Sequence, residues 1–255
     1  MHLHFRSYGQ GPQLIILHGL FGSLDNWHAM SERLSSRFQV FAVDQRNHGQ
    51  SPHSFEMDYK LMAEDLAEFM QTHHLAEAHI LGHSMGGKTA MQFAFLYPGY
   101  VRRLVVVDIA PRAYAPRHKQ ILEAMLSLGL AHFTDRKQIE KALEPQIPEL
   151  ALRRFLIKSV ARLPSGGFGW KLNLAGINNN YEKLNAELTW DQVFDKPTLF
   201  IRGEKSDYIR ESDVALIQRL FRAAEFRTIK GAGHWVHADA PEVFADVVLD
   251  FLANK

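Results

Sequence analysis

One serine in the sequence lies in a glycine-rich turn that suits nucleophilic catalysis. Residues 82–86 read Gly-His-Ser-Met-Gly and centre on Ser84. A short apolar stretch at 78–81 precedes this turn and helical composition at 87–96 follows it, so Ser84 lies at a predicted strand-to-helix junction. Such a turn strains the serine backbone and aims the first helix amides at the group under attack. The pattern predicts a nucleophile; the alternative is an ordinary turn with a polar serine.

A histidine in a second glycine-rich loop is the candidate general base. His234 lies in the segment GAGHWVH at residues 231–237, after the last predicted strand. Serine, acid and histidine must meet at one edge of a sheet, and a loop that follows a strand begins at that edge. His237 lies three residues farther along, and a histidine pair could suggest a metal site. Because no carboxylate or thiolate is arranged beside the pair, we predict no metal site. We interpret His237 either as a packing residue or as a support for the residues that contact substrate.

A His-Gly pair near the start of the chain predicts where negative charge is stabilised. The buried-strand pattern at residues 13–17 stops at His18 and Gly19. Attack on a carbonyl produces an oxyanion, and the usual donors are the amides after a His-Gly pair and after the nucleophile. We therefore predict an oxyanion hole formed by the N–H groups of Leu20 and Met85. The alternative is a tight turn with a hydrogen-bonding histidine.

The order of apolar and helical segments predicts an α/β fold around these residues. The predicted strands span residues 2–7, 13–17, 38–43, 78–81, 101–109, 196–203 and 225–229. Helical patterns between them favour a mostly parallel central sheet with helices on both faces. The alternation of strands and helices stops at residues 111–190, where helix-like stretches predict an inserted helical cap. The two parts of the core are then residues 1–110 and residues 191–255.

The predicted cap contains candidates for substrate selection, because a cap closes over strand ends and excludes water. Arg154, Lys158 and Arg162 are four residues apart in a helical pattern at 149–161, so they form a basic stripe. This stripe is either a solvated face or a contact for an anionic group such as the phosphates of coenzyme A. The apolar candidates for lining the pocket, each also explained by packing within the cap, are Met125, Leu128, Phe133, Phe155 and Trp170.

A polar loop after the strand at 38–43 contains two residues that could suggest catalysis. These are Asp44 and His48, within the segment DQRNHGQS at residues 44–51. We interpret both as structural, since charged residues at a strand end that pair with Arg46 would fix a loop near the pocket.

Composition narrows the class of protein. The 255 residues are 46% hydrophobic, which is enough for one large core, and the net charge of +1 gives no field that selects nucleic acid. There is no cysteine, which excludes disulfides and thiolate metal sites and fits a reducing compartment. Residues 1–6 lack a signal-peptide core, and no apolar run reaches the roughly 18 residues of a membrane span. We expect a cytoplasmic protein.

Four segments resemble those of the α/β-hydrolase superfamily, and more closely those of small bacterial esterases of the YbfF type. They are HGLFGSLDN at residues 18–26, DQRNHG at 44–49, GHSMGGK at 82–88 and GHWVHA at 233–238. The resemblance covers nearly the whole chain. It implies an α/β-hydrolase fold and hydrolysis of small-molecule carboxylic esters through an acyl-enzyme, with acyl-CoA thioesters as further candidate substrates. It implies no metal and no organic cofactor.

The resemblance leaves two candidates for the catalytic acid. In many α/β-hydrolases the acid lies three residues after the glycine that ends the strand predicted at 196–203. Ser206 occupies that place here, and Asp207 follows it. YbfF-type proteins carry Asp-Ile-Ala-Pro after the preceding strand, and Asp108 stands in that position. We expect Asp108 to orient His234, with Asp207 as the alternative.

Several candidate substrate contacts lie next to the catalytic positions or in the cap. They are His18, Phe21, His83, Trp235, Arg154 and Lys158. A serine at the elbow argues against dehalogenases and epoxide hydrolases, which need a carboxylate there. It leaves open a carbon–carbon bond hydrolase or a perhydrolase, and also a ligand-binding or signalling protein that turns over slowly.

Overall fold

A computed structural model describes residues 1–164 and 166–253, and its centre is a mostly parallel β-sheet. The strands are β1 (Phe5–Tyr8), β2 (Gln13–Leu17), β3 (Gln39–Val43), β4 (Ala78–His83), β5 (Val101–Val107), β6 (Val160–Arg162), β7 (Phe168–Trp170), β8 (Thr198–Gly203) and β9 (Ala224–Ile229). Within the described residues, seven strands form the central sheet in the order β1-β3-β2-β4-β5-β8-β9. Only β1 runs antiparallel to its neighbour, so the predicted parallel sheet is confirmed.

Helices cover both faces of this sheet, and further helices lie in the segment between β5 and β8. They are α1 (His28–Leu34), α2 (Tyr59–Thr72), α3 (Met85–Leu96), α4 (Lys119–Ser127), α5 (Arg136–Leu143), α6 (Leu150–Ile157), α7 (Leu174–Asn179), α8 (Tyr181–Asn185), α9 (Val214–Leu220), α10 (Val236–Asp239) and α11 (Pro241–Ala253). Alternate residues of β2 enter different cores: Leu14 and Ile16 pack with α1 and α11, and Ile15 and Leu17 pack with α2 and α3. A strand buried on both faces reads as a continuous apolar run, which explains the sequence pattern.

The segment between β5 and β8 forms the cap, which contains α4 to α8 and the antiparallel pair β6 and β7. Hydrogen bonds tie this cap to the core. The Ser159 hydroxyl donates to the Phe21 carbonyl at 2.8 Å, and the Asn173 amide donates to the Asn47 carbonyl at 2.9 Å. The exact limits of the predicted cap, residues 111–190, stay a prediction. Residues 254 and 255 of the second predicted core part lie outside the described residues.

The predicted helix at residues 149–161 is wrong in its last four residues. The helix α6 ends at Ile157, and Arg162 lies in β6, where its guanidinium is 5.0 Å from the centre of the Phe168 ring. The chain turns back because Gly166 and Gly167 both adopt positive φ angles that suit glycine. The basic residues at 154, 158 and 162 therefore do not form a stripe on one helix.

No helix within the described ranges has both the length and the apolar character that crossing a membrane requires.

Candidate active site

Ser84 lies in a strained turn between β4 and α3. Its backbone has φ 52° and ψ −115°, and its N–H donates to the Val107 carbonyl at 3.0 Å. A Cβ atom on Gly86 would lie 2.3 Å from the Leu17 carbonyl oxygen, and one on Gly82 would lie 2.1 Å from the oxygen of Gly86. Only glycine fits these two positions, since backbone atoms fill the space of a side chain. The structure therefore has the sharp strand-to-helix turn that the sequence predicts.

The Asp108 carboxylate meets the His234 ring at the carboxyl edge of the sheet. His234 Nδ1 lies 2.8 Å from Asp108 Oδ2, and the Gly203 amide donates to Asp108 Oδ1 at 3.1 Å. The Ser206 hydroxyl donates a short hydrogen bond to Asp108 Oδ2. Because a carboxylate only accepts, Nδ1 of His234 carries the proton and Nε2 keeps its lone pair. Nε2 is the atom that a general base needs.

Asp207, the alternative acid, contacts the cap instead. Its two carboxylate oxygens lie 2.5 and 2.6 Å from the guanidinium nitrogens of Arg117. A second guanidinium, that of Arg210, lies 3.5 Å away. The hydrogen bond from Arg117 lowers the pKa of Asp207 to about 2. Ser206, at the position where many relatives have the acid, supports Asp108 through its hydroxyl. The geometry thus favours Asp108, although its catalytic role stays a prediction.

Burial sets the charges of the candidate pair. It raises the pKa of Asp108 to about 6, while hydrogen bonds from Ser206 and Gly203 act in the opposite direction. It also lowers the pKa of His234 to about 4. At neutral pH the pair is therefore a carboxylate beside a neutral imidazole, which is the state that can accept a proton from a serine. The Tyr208 ring stacks on His234 at 3.8 Å between centroids.

Two histidines hold the loop of residues 18–22, which we call the oxyanion loop. His18 contacts the Gly19 carbonyl through Nδ1 at 2.9 Å and accepts from the Gln45 amide through Nε2 at 3.0 Å. His48 Nε2 accepts from the Phe21 amide at 3.2 Å. His18 is therefore mainly a support for the loop. Among the described residues, the amides of Leu20 and Met85 have no hydrogen-bond partner, so both remain available to an oxyanion.

His83 links the serine turn to the histidine loop. Its Nε2 lies 2.9 Å from the His234 carbonyl oxygen and donates to it. His237 lies beneath, stacked on Trp27 with ring centroids 4.0 Å apart and planes inclined by 13°. The contacts of His237 thus fit its interpretation as a packing residue. His83 fixes the backbone from which the His234 ring projects.

The polar loop at residues 44–49 is structural, but one of its predicted contacts is wrong. The Asp44 carboxylate accepts from the amides of Leu24 and Gln50, at 2.8 and 2.9 Å. Arg46 pairs with Asp65 of α2, at 2.6 Å between Nε and Oδ2. No local sequence pattern could show this partner, because α2 and the loop come together only in the tertiary structure.

A cavity of about 310 Å³ opens above Ser84, and we call it the large cavity. Ser84 and His234 both line it, although the hydrogen bonds of the described residues include none between the two side chains. Such bonds often tighten only when substrate binds. The predicted contacts that line it are His18, Phe21, His83, Trp235, Arg154 and Lys158. Of the apolar cap candidates, Phe155 lines it, and Met125 is fully buried in the core.

A second cavity, of about 40 Å³, also borders Ser84, and we call it the small cavity. It shares Leu20, Ser84 and His118 with the large cavity. Its other walls include Tyr59, Tyr114 and Tyr208, together with Lys88 and Arg117. None of these residues was predicted as a contact. The cavity exists only where cap and core meet, so no local sequence pattern could reveal it.

Comparisons with known proteins agree with this fold. Residues 12–241 match the family model described as alpha/beta hydrolase fold. The chain is 38% identical over 256 residues to the sn-1-specific diacylglycerol lipase ABHD11 of Danio rerio, over 97% of this chain and 80% of that protein. It is 32% identical over 242 residues to the esterase YbfF of Escherichia coli (strain K12), over 94% of this chain and 92% of that protein.

A solved structure described as a marine microorganism esterase superposes with a TM-score of 0.96 at 44% identity, over 98% of this chain and 99% of that chain. The predicted fold class and the resemblance to small bacterial esterases are thereby confirmed. The chain belongs to the α/β-hydrolase family and, within it, to the hydrolases of ester bonds.

Proposed function

We propose that this chain is a serine carboxylesterase in which Ser84, His234 and Asp108 act as a catalytic triad. The observation that carries the proposal is the 2.8 Å contact between His234 Nδ1 and Asp108 Oδ2. It leaves the other ring nitrogen free in the cavity that Ser84 also lines. A nucleophile, an oriented base and a buried carboxylate at one sheet edge are the parts that acyl transfer needs.

The first half of the reaction forms an acyl-enzyme. His234 removes the proton from the Ser84 hydroxyl, and the oxygen attacks the ester carbonyl carbon. The resulting oxyanion accepts hydrogen bonds from the amides of Leu20 and Met85; losing one such donor typically costs about 3 to 4 kcal/mol of transition-state stabilisation. His234 then gives its proton to the departing alcohol.

The second half returns the enzyme to its starting state. A water molecule enters the large cavity, gives a proton to His234 and attacks the acyl carbon. The same two amides hold the new oxyanion. When it collapses, the Ser84 oxygen leaves with the proton from His234 and the carboxylic acid is released. Asp108 stabilises the imidazolium in both halves, because its carboxylate lies beside the protonated Nδ1.

The large cavity favours small to medium acyl esters. Its volume of about 310 Å³ is at the lower end of the range for small-molecule sites, and Phe21, Leu152 and Phe155 give it apolar walls. The relative from Danio rerio is named as a lipase for diacylglycerol, which is also an ester. We propose the same reaction type here, on substrates that fit this volume.

Acyl-CoA thioesters are a second candidate substrate class. Arg154 and Lys158 both line the large cavity, and both residues are exposed. Cations at the opening of an acyl-transfer site suit a leaving group that carries phosphates. Thioester and ester hydrolysis use the same nucleophile, so activity on both would fit the same triad.

The test is steady-state hydrolysis of p-nitrophenyl esters of increasing acyl length by the wild type and by Ser84→Ala. We expect sustained turnover by the wild type and a loss of about 10⁶-fold in kcat for Ser84→Ala, because the covalent step is removed. An acyl burst without sustained turnover would support a slow ligand-binding or signalling protein instead. Residual activity of Ser84→Ala close to that of the wild type would exclude Ser84 as the nucleophile.

A further inference from the structure

A buried lysine lies one helical turn beyond Ser84. Lys88 is 1% exposed, and its backbone N–H donates to the Ser84 carbonyl at 3.0 Å. Lys88 belongs to α3, whereas Ser84 is the residue that precedes the helix and has a non-helical φ of 52°. Lys88 and Ser84 both line the small cavity.

The Lys88 ammonium has little compensation for its burial. Nζ donates to the Ala186 carbonyl at 2.6 Å and lies 5.6 and 5.1 Å from the ring centres of Tyr59 and Tyr114. An ammonium has three donors, and one carbonyl satisfies only one of them. Among the described residues no carboxylate forms an ion pair with Nζ. Buried charges are normally paired, so a carboxylate on a ligand would supply the partner that the described residues do not give to Nζ.

The other polar groups of the small cavity are already engaged. The Tyr59 hydroxyl donates to the Leu184 carbonyl at 2.7 Å, and the Tyr114 hydroxyl donates to the Tyr208 carbonyl at 2.6 Å. The guanidinium of Arg117 holds Asp207 with two of its nitrogens. Arg117 thus already has a carboxylate partner, whereas Lys88 has none among the described residues.

Burial lowers the pKa of Lys88 to about 7, and the nearby Arg112 acts in the same direction while Glu187 opposes it. A bound anion would relieve both effects. A water molecule needs about 10 to 15 Å³ of such space, so a cavity of about 40 Å³ accepts roughly three water-sized groups. A short carboxylate-bearing tail matches this size, whereas a long acyl chain does not.

We infer that the small cavity binds the acyl part of esters whose short acyl group ends in a carboxylate, with Lys88 pairing with that carboxylate. The inference rests on the proposed esterase function and names a substrate class for it, the half-esters of short dicarboxylic acids. The ester carbonyl lies at Ser84, the leaving alcohol occupies the large cavity, and the free carboxylate replaces the anion that Lys88 lacks.

The test compares two esters that differ only in charge. Monoethyl malonate ends its acyl group in a carboxylate, and ethyl 3-methylbutanoate has an isopropyl group of the same shape. We expect Lys88→Met to lower kcat/KM for the malonate half-ester by about 10- to 100-fold, because a buried charge-assisted bond is lost, and to change the neutral ester by less than about threefold. Ethanol release measures both reactions.

Lys60→Met is the matched control, because the exposed Lys60 forms its one ion pair among the described residues with Glu64 of α2. It should change neither substrate. Equal losses on both esters in Lys88→Met would overturn the inference, since Lys88 would then serve only to hold the Ala186 carbonyl. A wild type that hydrolyses the neutral ester but not the half-ester would overturn the inference alone. A wild type that hydrolyses no ester would overturn the proposed function, and the inference with it.

A binding measurement covers the case in which Lys88→Met fails to fold. Ser84→Ala retains Lys88 but cannot form an acyl-enzyme, so calorimetry can compare its binding of the two esters. We expect the half-ester to bind at least about tenfold more tightly than the neutral ester. Equal affinities, or tighter binding of the neutral ester, would overturn the inference without any variant at Lys88.

Discussion

The carboxyl edge of the sheet and the contacts that hold the cap differ in how they treat charge. At the edge, Asp108 is fully buried and accepts from a backbone amide, a hydroxyl and an imidazole. At the cap, Arg117 and Asp207 form an ion pair whose side chains are 35% and 57% exposed. Lys171 and Asp25 form another pair, which is 24% and 44% exposed. Two carboxylates in neighbouring loops thus lie in opposite environments.

This difference in burial indicates which region has the larger effect on the reaction rate. A hydrogen bond to a buried charge contributes about 1.5 to 3 kcal/mol, and removing one partner leaves the other without solvation. An exposed ion pair contributes about 0 to 1 kcal/mol, because water and salt screen it. The edge should therefore control the rate of reaction, and the cap pairs should adjust access to the site.

The largest effect should come from Asp108→Asn. The amide cannot stabilise an imidazolium and can donate to His234 Nδ1, which favours the wrong tautomer. We expect kcat to fall by about 10⁴-fold with little change in KM. Hydrolysis of p-nitrophenyl butyrate by folded protein, verified by circular dichroism, measures this. A loss of less than about tenfold would mean that another acid orients His234, and the contrast between edge and cap would no longer hold.

The pH dependence should show a moderate effect at the edge. Asp108 and His234 share a hydrogen bond and take up protons as a pair. Because burial lowers the pKa of His234 and raises that of Asp108 only to about 6, the active charge state persists down to about pH 6. We expect kcat/KM to stay level from about pH 8 to 6.5 and to fall about tenfold by pH 5.

The substrate for that profile must be a neutral ester, so that its own ionisation does not contribute. A midpoint at pH 7 or above would mean that the Asp108 charge favours the imidazolium more than burial opposes it. The Asp108–His234 pair would then behave like the solvent-exposed ion pairs of the cap.

The smallest effect should come from Asp207→Asn. The change removes an exposed ion pair with Arg117, so we expect kcat to change by less than about threefold and the free energy of unfolding by less than about 1 kcal/mol. Parallel assays with Asp108→Asn sharpen the comparison, because both variants exchange a carboxylate for an amide. A collapse of kcat in Asp207→Asn, with activity kept in Asp108→Asn, would reverse the assignment of the acid.

Sequence reasoning was strongest where the signal is local. Glycines at 82 and 86 are required by backbone atoms within the same turn, and apolar runs follow from burial on both sheet faces. The serine turn, the succession of strands along the chain and the fold class could therefore be predicted. The acid stayed open in the sequence, because it depends on how two loops from different strands converge on His234.

The cap was predicted less well, for physical reasons. The stretch after Ile157 has basic residues at helical spacing, but pairing between β6 and β7 overrides that local pattern. Lys88 gave no signal, because its surroundings come from α2, the cap and the loop after β5. Contacts between residues far apart in the sequence determine the burial of a side chain such as Lys88. A single sequence does not show which of its residues make these contacts.

The hydrogen bond from Ser159 to the Phe21 carbonyl limits how freely the cap could be exchanged between relatives. Phe21 belongs to the oxyanion loop, its φ is 63°, and its amide is held by His48 on the opposite side. A cap grafted from another hydrolase without a donor at this position would release one side of that loop. Exchanging the cap would therefore affect both the range of substrates and the geometry of the oxyanion loop. A chimera would need a serine at the position of Ser159 as well as the new cap.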